Sequence, residues 1–139
     1  MDWARRCAEL SHARRLHVGA VIVKDDTVIS YGYNGMPAGW DNNCEDEITI
    51  ECDGGEEYDY ILKTKPEVIH AESNAIAKLA KSSNSGLGAD MFITHSPCLD
   101  CAKLIYQSGI RSVYFGKHYR DDSGIKFLEK SGIEVKMVK

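Results

Sequence analysis

From Ala71 onward the chain alternates amphipathic helical segments with short β-branched runs, and this alternation restricts the fold more than any other feature. Ala71 to Lys81 repeats apolar residues at helical spacing, with Ala75, Ile76 and Leu79 as the expected buried face. Gly86 and Gly88 stop that helix, and Met91 to Thr94 reads as a strand. Leu99 to Gln107 is a second helix ended by Ser108-Gly109. Ser112 to Phe115 is a strand, Ser123 to Lys130 a short helix, and Ile133 to Val138 a last strand. Helices between consecutive strands act as crossovers, which favours a sheet with parallel strands and helices packed on its faces.

The first half adds a helix and a hairpin. Residues 3–15 predict a helix, with Trp3, Cys7, Leu10 and the stem of Arg14 along one stripe. His17 to Val23 and Thr27 to Tyr33 carry strand character on either side of the turn Asp25-Asp26. Residues 35–66 read as a long, polar, irregular insertion. It holds Cys44, Cys52, Gly54-Gly55 and six acidic residues between Asp41 and Asp53. A loop of that length within a compact unit is usually functional or disordered. At 139 residues the chain is expected to form one domain over 1–139, a three-layer α/β/α arrangement on a mixed sheet.

Charge and composition exclude several functions. The net charge is −4, and basic residues cluster only as the pairs Arg5-Arg6 and Arg14-Arg15. A nucleic-acid partner is therefore not expected, because such proteins present a basic face to phosphates. No segment approaches the ~20 consecutive apolar residues of a membrane helix. Asp2, Arg5, Arg6 and Glu9 give the N-terminus the wrong character for a secretory leader, so a cytoplasmic location is expected. In a reducing cytoplasm the five cysteines suit metal ligation or burial better than disulfides.

Two motifs carry chemistry: His70-Ala71-Glu72 and Pro97-Cys98-Leu99-Asp100-Cys101. Each sits at the predicted start of a helix, where free N–H groups and the helix dipole favour a thiolate. Cysteines three apart lie on one helix face and can reach the same ion. His70, Cys98 and Cys101 supply three zinc ligands and leave a fourth tetrahedral position for water, the pattern of a catalytic site. Glu72 stands close enough to His70 to reach that water without being a ligand. Cys7 falls on the apolar stripe of the first helix and reads as a buried free thiol. Cys44 and Cys52 have no histidine nearby in sequence to complete a second metal set. His12, His17, His95 and His118 read as surface or packed histidines, His95 being notable for its place beside the cysteine motif.

With these motifs the chain resembles the deoxycytidylate (dCMP) deaminases of phages and eukaryotes, within the zinc-dependent cytidine deaminase superfamily. The likeness rests on Val18 to Val23, on Gly32-Tyr33-Asn34-Gly35-Met36-Pro37-Ala38-Gly39, on His70 to Ile76, and on Thr94 to Lys103. It covers roughly Arg15 to the C-terminus. The resemblance implies the cytidine-deaminase α/β/α sandwich with a five-stranded mixed sheet. It implies one catalytic Zn2+ on His70, Cys98 and Cys101, with Glu72 as proton shuttle. It places Asn34 on the deoxyribose, Tyr119 against the cytosine ring and the backbone at Ala71 and Ser96 on the base edge. Arg15, Arg120 and Lys117 are the candidates for the substrate phosphate. Regulation by Mg2+-bound dCTP as activator and dTTP as inhibitor is also implied, through Gly32, Tyr33, Asn34, Gly35, Lys78 and Lys81 in a homo-oligomer, a hexamer. The expected reaction is hydrolysis of dCMP to dUMP, which supplies dUMP for thymidylate synthesis. The alternatives are a deaminase of free cytidine, deoxycytidine, another cytosine nucleotide or a tRNA adenine, the last disfavoured by the acidic charge, and a non-catalytic zinc-stabilised nucleotide sensor.

Overall fold

A computed structural model describes residues 1–52, 54–55 and 58–139. Asp53, counted in the acidic stretch above, lies outside the described residues, as do Glu56 and Glu57. The elements run α1 (Asp2–Ala8), β1 (Gly19–Lys24), β2 (Thr27–Tyr33), β3 (Glu45–Glu51), β4 (Tyr58–Thr64), α2 (Ala71–Leu79), β5 (Asp90–His95), α3 (Leu99–Gln107), β6 (Ser112–Lys117), α4 (Ser123–Lys130) and β7 (Glu134–Met137).

Five strands form one mixed sheet in the order β2-β1-β5-β6-β7. The β1–β2 hairpin turns at Asp25 and Asp26, with φ of 50° and 60°. Two successive residues in the left-handed region match the twist of the flanking strands, and short polar side chains tolerate it. β1 pairs antiparallel with β5, and β5, β6 and β7 run parallel through the α3 and α4 crossovers. This is the architecture expected from the alternation of elements.

The two faces of the sheet are covered unequally. Ala20, Ile22, Met91, Ile93 and Val113 point to one side and meet Ala71, Ala75 and Leu79 of α2, Ala102 and Ile105 of α3, and Leu128 of α4. Val21, with Val23 and Phe92 beside it, points to the other and meets α1 through Ala4 and Cys7. Alternation of side chains along each strand makes this division.

Three expectations need correcting. The first helix covers only Asp2–Ala8, not 3–15, and its buried stripe is Ala4, Cys7 and Ala8, while Trp3 and Leu10 are exposed. Small residues are required there because the helix backbone lies directly on Gly19, where a Cβ would sit 2.0 Å from the Ala4 carbonyl oxygen. The third-layer helix α2 ends at Leu79, so Lys81 lies in the turn beyond it and does not share a helix face with Lys78. The insertion is not irregular throughout. β3 and β4 pair over seven rungs, from Glu45–Thr64 to Glu51–Tyr58, as a separate antiparallel ribbon.

Gly32 fixes how closely α2 can approach. A Cβ on it would lie 2.3 Å from the Ala71 carbonyl oxygen and 2.7 Å from the Ala75 nitrogen, both backbone atoms that cannot step aside. Overpacking of this kind costs about 1–3 kcal/mol. Gly32→Ala is therefore expected to lower the thermal midpoint by several degrees, measured by the loss of far-ultraviolet circular dichroism on heating. An unchanged midpoint would show that α2 can slide.

Candidate active site

The metal ligands are assembled by two helix starts on the same face of the sheet. His70 is the N-cap of α2 and Cys98 the N-cap of α3, both with extended backbone (φ −71° in each; ψ 153° and 170°). The Cys98 sulfur accepts the Cys101 backbone N–H at 3.5 Å, so it caps α3 while facing the site. Cys101, one turn in, is buried. Packing of α2 against α3 then brings His70 Nδ1 to 3.6 Å from Cys98 Sγ and 3.4 Å from Cys101 Sγ. A tetrahedral zinc with Zn–S near 2.3 Å and Zn–N near 2.0–2.1 Å requires S and N about 3.5 Å apart. The donor set fits that ion in type and in spacing, and it is the sole such group of histidine, cysteine and acidic side chains among the described residues.

The site's electrostatics follow from burial and shared protons. Hydrogen bonds from Cys101 and His70 hold the Cys98 thiol down to about 4, which favours the thiolate. The Cys98 thiolate and burial together push the Cys101 thiol up. Glu72 is only 4% exposed, and burial pushes its carboxyl up to about 7, against the opposing pull of its own backbone N–H and of His70. Gly124 completes the support: a Cβ there would meet the carbonyls of Pro97 and Cys98 at 2.1 and 2.8 Å, so α4 packs directly on the cysteine loop. Nothing in the sequence motif marks this glycine.

A cavity of about 310 Å³ opens over these residues. His70, Glu72, Cys98, His95 and Ser96 form its floor and sides. Asn34, Arg15, Tyr119 and Arg120 line it as well, and Glu45, Cys44 and Thr64 reach it from the ribbon. Asn34 is locked in place. Its Oδ1 accepts the Val18 N–H and its Nδ2 donates to the Leu16 carbonyl, each at 2.8 Å, which leaves one amide hydrogen. Ser96 Oγ accepts the Tyr119 N–H at 2.7 Å and so fixes the tyrosine segment over the site. The Ser96 N–H is already given to the Lys117 carbonyl at 2.9 Å, and Lys117 itself does not line the cavity. Burial lowers the basicity of His95, whose Nδ1 lies 3.1 Å from Thr94 Oγ1.

Of the residues named for regulation, Asn34 lines this cavity and the others do not. Lys78 donates to the Tyr31 carbonyl at 3.0 Å and sits 4.1 Å above the Tyr31 ring and 5.9 Å from the Tyr33 ring. Gly32 and Tyr33 belong to β2, an edge strand of the sheet, and Gly35 bridges to Ile69. Burial, and after it the charge of Lys81 in the turn beyond α2, lowers the basicity of Lys78. Cys7 is buried, as expected. Cys44 is buried and Cys52 half-buried, at opposite ends of the seven-residue strand β3. At about 3.4 Å per residue, roughly 27 Å separates them, too far to share an ion. The cavity residues Glu45 and Thr64 escaped sequence reasoning because the ribbon that carries them read as loop. Their signal was the run of β-branched and aromatic residues within the acidic stretch.

Residues 1–117 match the family described as the cytidine and deoxycytidylate deaminase zinc-binding region. The chain is similar to ComE operon protein 2 of Bacillus subtilis, 39% identical over 89% of this chain, although it spans only 61% of that protein's length. It is 37% identical to the deoxycytidylate deaminase of Enterobacteria phage T2, over 85% of this chain and 79% of that enzyme. Among solved structures, the dCMP deaminase of cyanophage S-TIM5 in complex with dCMP and dUMP superposes with a TM-score of 0.84 at 39% identity. That match covers 99% of this chain and 92% of the other.

The geometry predicts one zinc per chain. Cys98→Ser and Cys101→Ser are each expected to lose it, since a hydroxyl is a poor zinc ligand at neutral pH, whereas Cys44→Ser and Cys52→Ser keep it. Metal analysis of the purified variants decides the point, and two zincs per chain, or loss of zinc in Cys44→Ser or Cys52→Ser, would overturn it.

Proposed function

The chain belongs to the cytidine and deoxycytidylate deaminase zinc-binding family, and from that premise we propose that it hydrolyses dCMP to dUMP and ammonia. The observation that carries this reading is the juxtaposition, in one cavity, of the His70–Cys98–Cys101 donor set, the buried carboxyl of Glu72 and two cavity-lining arginines, Arg15 and Arg120. Among the described residues neither arginine makes an ion pair, so both are available to a phosphate. The complex of the cyanophage enzyme with dCMP and dUMP supports the same substrate and product. The expected role is to supply dUMP for thymidylate synthesis.

A zinc ion on these ligands supplies Lewis acidity and lowers the pKa of water toward neutrality. Glu72 takes a proton from the attacking water as its oxygen bonds to C4 of the cytosine, and gives that proton to N3. The second proton of the water then passes through Glu72 to the amino group. The C4–N bond breaks, ammonia leaves, and the carbonyl of dUMP remains. Tyr119 packs against the ring, the backbone at Ala71 and Ser96 meets the base edge, and Asn34 offers its remaining amide hydrogen to the deoxyribose. Arg15 and Arg120 hold the phosphate.

We propose in addition that the protein works as a homo-oligomer, a hexamer, in which Mg2+-bound dCTP favours and dTTP disfavours the active arrangement. The supporting observation is Lys78 of α2 set against Tyr31 and Tyr33 of the edge strand β2, beside an open groove that Trp3 also lines. Each triphosphate would act through its differential affinity for two states.

Two measurements test these proposals. Glu72→Gln is expected to keep its zinc and lose at least about a thousandfold in kcat on dCMP, the scale of a general acid–base group. Retained turnover removes Glu72 from the reaction. Initial rates against dCMP should be sigmoidal alone, hyperbolic with Mg2+-dCTP and depressed by dTTP, with both responses weakened in Lys78→Glu. Hyperbolic kinetics indifferent to both triphosphates would end the regulatory proposal and leave the deaminase intact.

A further inference from the structure

The base of the β3–β4 ribbon does more than wall one side of the cavity. Its first rung is the cross-strand pair Glu45–Thr64, and both residues line the cavity. Both also hold Arg15. Glu45 Oε1 accepts the backbone N–H of Arg14 at 2.9 Å and of Arg15 at 3.2 Å, while Thr64 Oγ1 accepts from Arg15 Nη1 at 3.2 Å. One rung therefore grips the same arginine at its backbone and at its guanidinium.

The charges around this rung are sorted. Glu45 is a carboxylate only 1% exposed. Its second oxygen, Oε2, has no hydrogen-bond partner among the described residues and faces Arg14 Nε at 3.7 Å. Arg14 is also held by Glu47, 2.8 Å from Nη1. Adjacent arginines thus take different parts. Arg14 is neutralised by the ribbon and serves as its anchor. Arg15 makes no ion pair among the described residues and keeps its charge at the cavity wall. Burying a carboxylate is costly unless it is paired and bonded, so a rung that only closed the ribbon would be better made of apolar residues. A guanidinium fixed before the ligand arrives loses less rotamer freedom when it binds.

We propose that the Glu45–Thr64 rung is a two-point clamp that sets the Arg15 guanidinium for the 5′-phosphate, and so makes the cavity select a nucleotide over a nucleoside. The inference rests on the deaminase reading above. Glu45 and Thr64 are positioning residues, since they act through Arg15 and not on the reacting atoms.

The test uses the zinc-loaded protein with dCMP as substrate and deoxyuridine, which has the base and sugar without phosphate, as inhibitor. Thr64→Val keeps the side-chain shape on an exposed strand position and removes one grip. It is expected to raise KM for dCMP about tenfold, the worth of a hydrogen bond to a charged group, with most of the effect in KM and not in kcat. The inhibition constant of deoxyuridine should stay within about twofold of the wild type, a scale set by the same bond energies. Arg15→Gln should raise KM further, and adding Thr64→Val to Arg15→Gln should change nothing more, because the clamp then has nothing to present. Glu45→Gln should move KM in the same direction. A loss that falls equally on dCMP and deoxyuridine, or additive effects of Thr64→Val and Arg15→Gln, overturns the clamp while the wild type still deaminates dCMP. A wild type that deaminates no cytosine compound overturns the deaminase reading and the clamp with it.

Discussion

The structure depends on the convergence of two helix starts over one face of the sheet. His70 and Cys98 each stand in the N-cap position, the one place where a residue has extended backbone yet adjoins a helical turn. From there a side chain points out past the helix end and not along its flank. Two such ends brought together by α2–α3 packing put two thiol sulfurs and one imidazole nitrogen at tetrahedral spacing without any strained backbone in the motifs. The same arrangement buries Glu72, which lies in the first turn of α2 and faces the core side. The metal site and its proton carrier are thus consequences of how two helices end. Gly32 and Gly124 matter for the same reason: each removes a Cβ that would push a site-bearing segment off its support.

Legibility in the sequence followed the locality of the physics. The metal ligands were readable because a helix start is a local event, decided by a few consecutive residues. Strands β1, β5 and β6 were readable because both their faces are covered, so the apolar runs are nearly continuous. The first helix is hidden in the sequence because its large residues, Trp3 and Leu10, form a stripe that is not the buried face. Its true buried face is Ala4, Cys7 and Ala8, small because the helix touches the backbone of Gly19. That requirement is set by a strand eleven residues beyond the helix and leaves no periodic mark.

The ribbon failed to read as strand for a different reason. Nearly every position of β3 and β4 is exposed, so neither face imposes an apolar–polar alternation. Its β-branched and aromatic residues, Ile48, Ile50, Tyr58, Tyr60 and Ile61, stand among acids and were outweighed by charge. Charge density argues for solvent exposure, and the ribbon is exposed. It does not argue against pairing, because cross-strand backbone bonds are indifferent to which side chains face water.

A two-stranded ribbon alone is marginal in water, so this one must be held at its base. The holding contacts are ionic and hydrogen-bonded: Glu45 with the Arg14–Arg15 backbone, Arg14 with Glu47, and Lys65 with Asp46 at 3.8 Å. Most of these groups are exposed, where single ion pairs add little stability. Glu45 is the exception, and it is also the contact nearest the cavity. The segment least anchored by apolar packing is therefore fastened most firmly where it meets the substrate's side of the site. The inner rung is the one tied to Arg15. Fastening at Glu45, Asp46 and Glu47, the first three rungs, and most deeply at Glu45, suits a part whose base holds one charge in place.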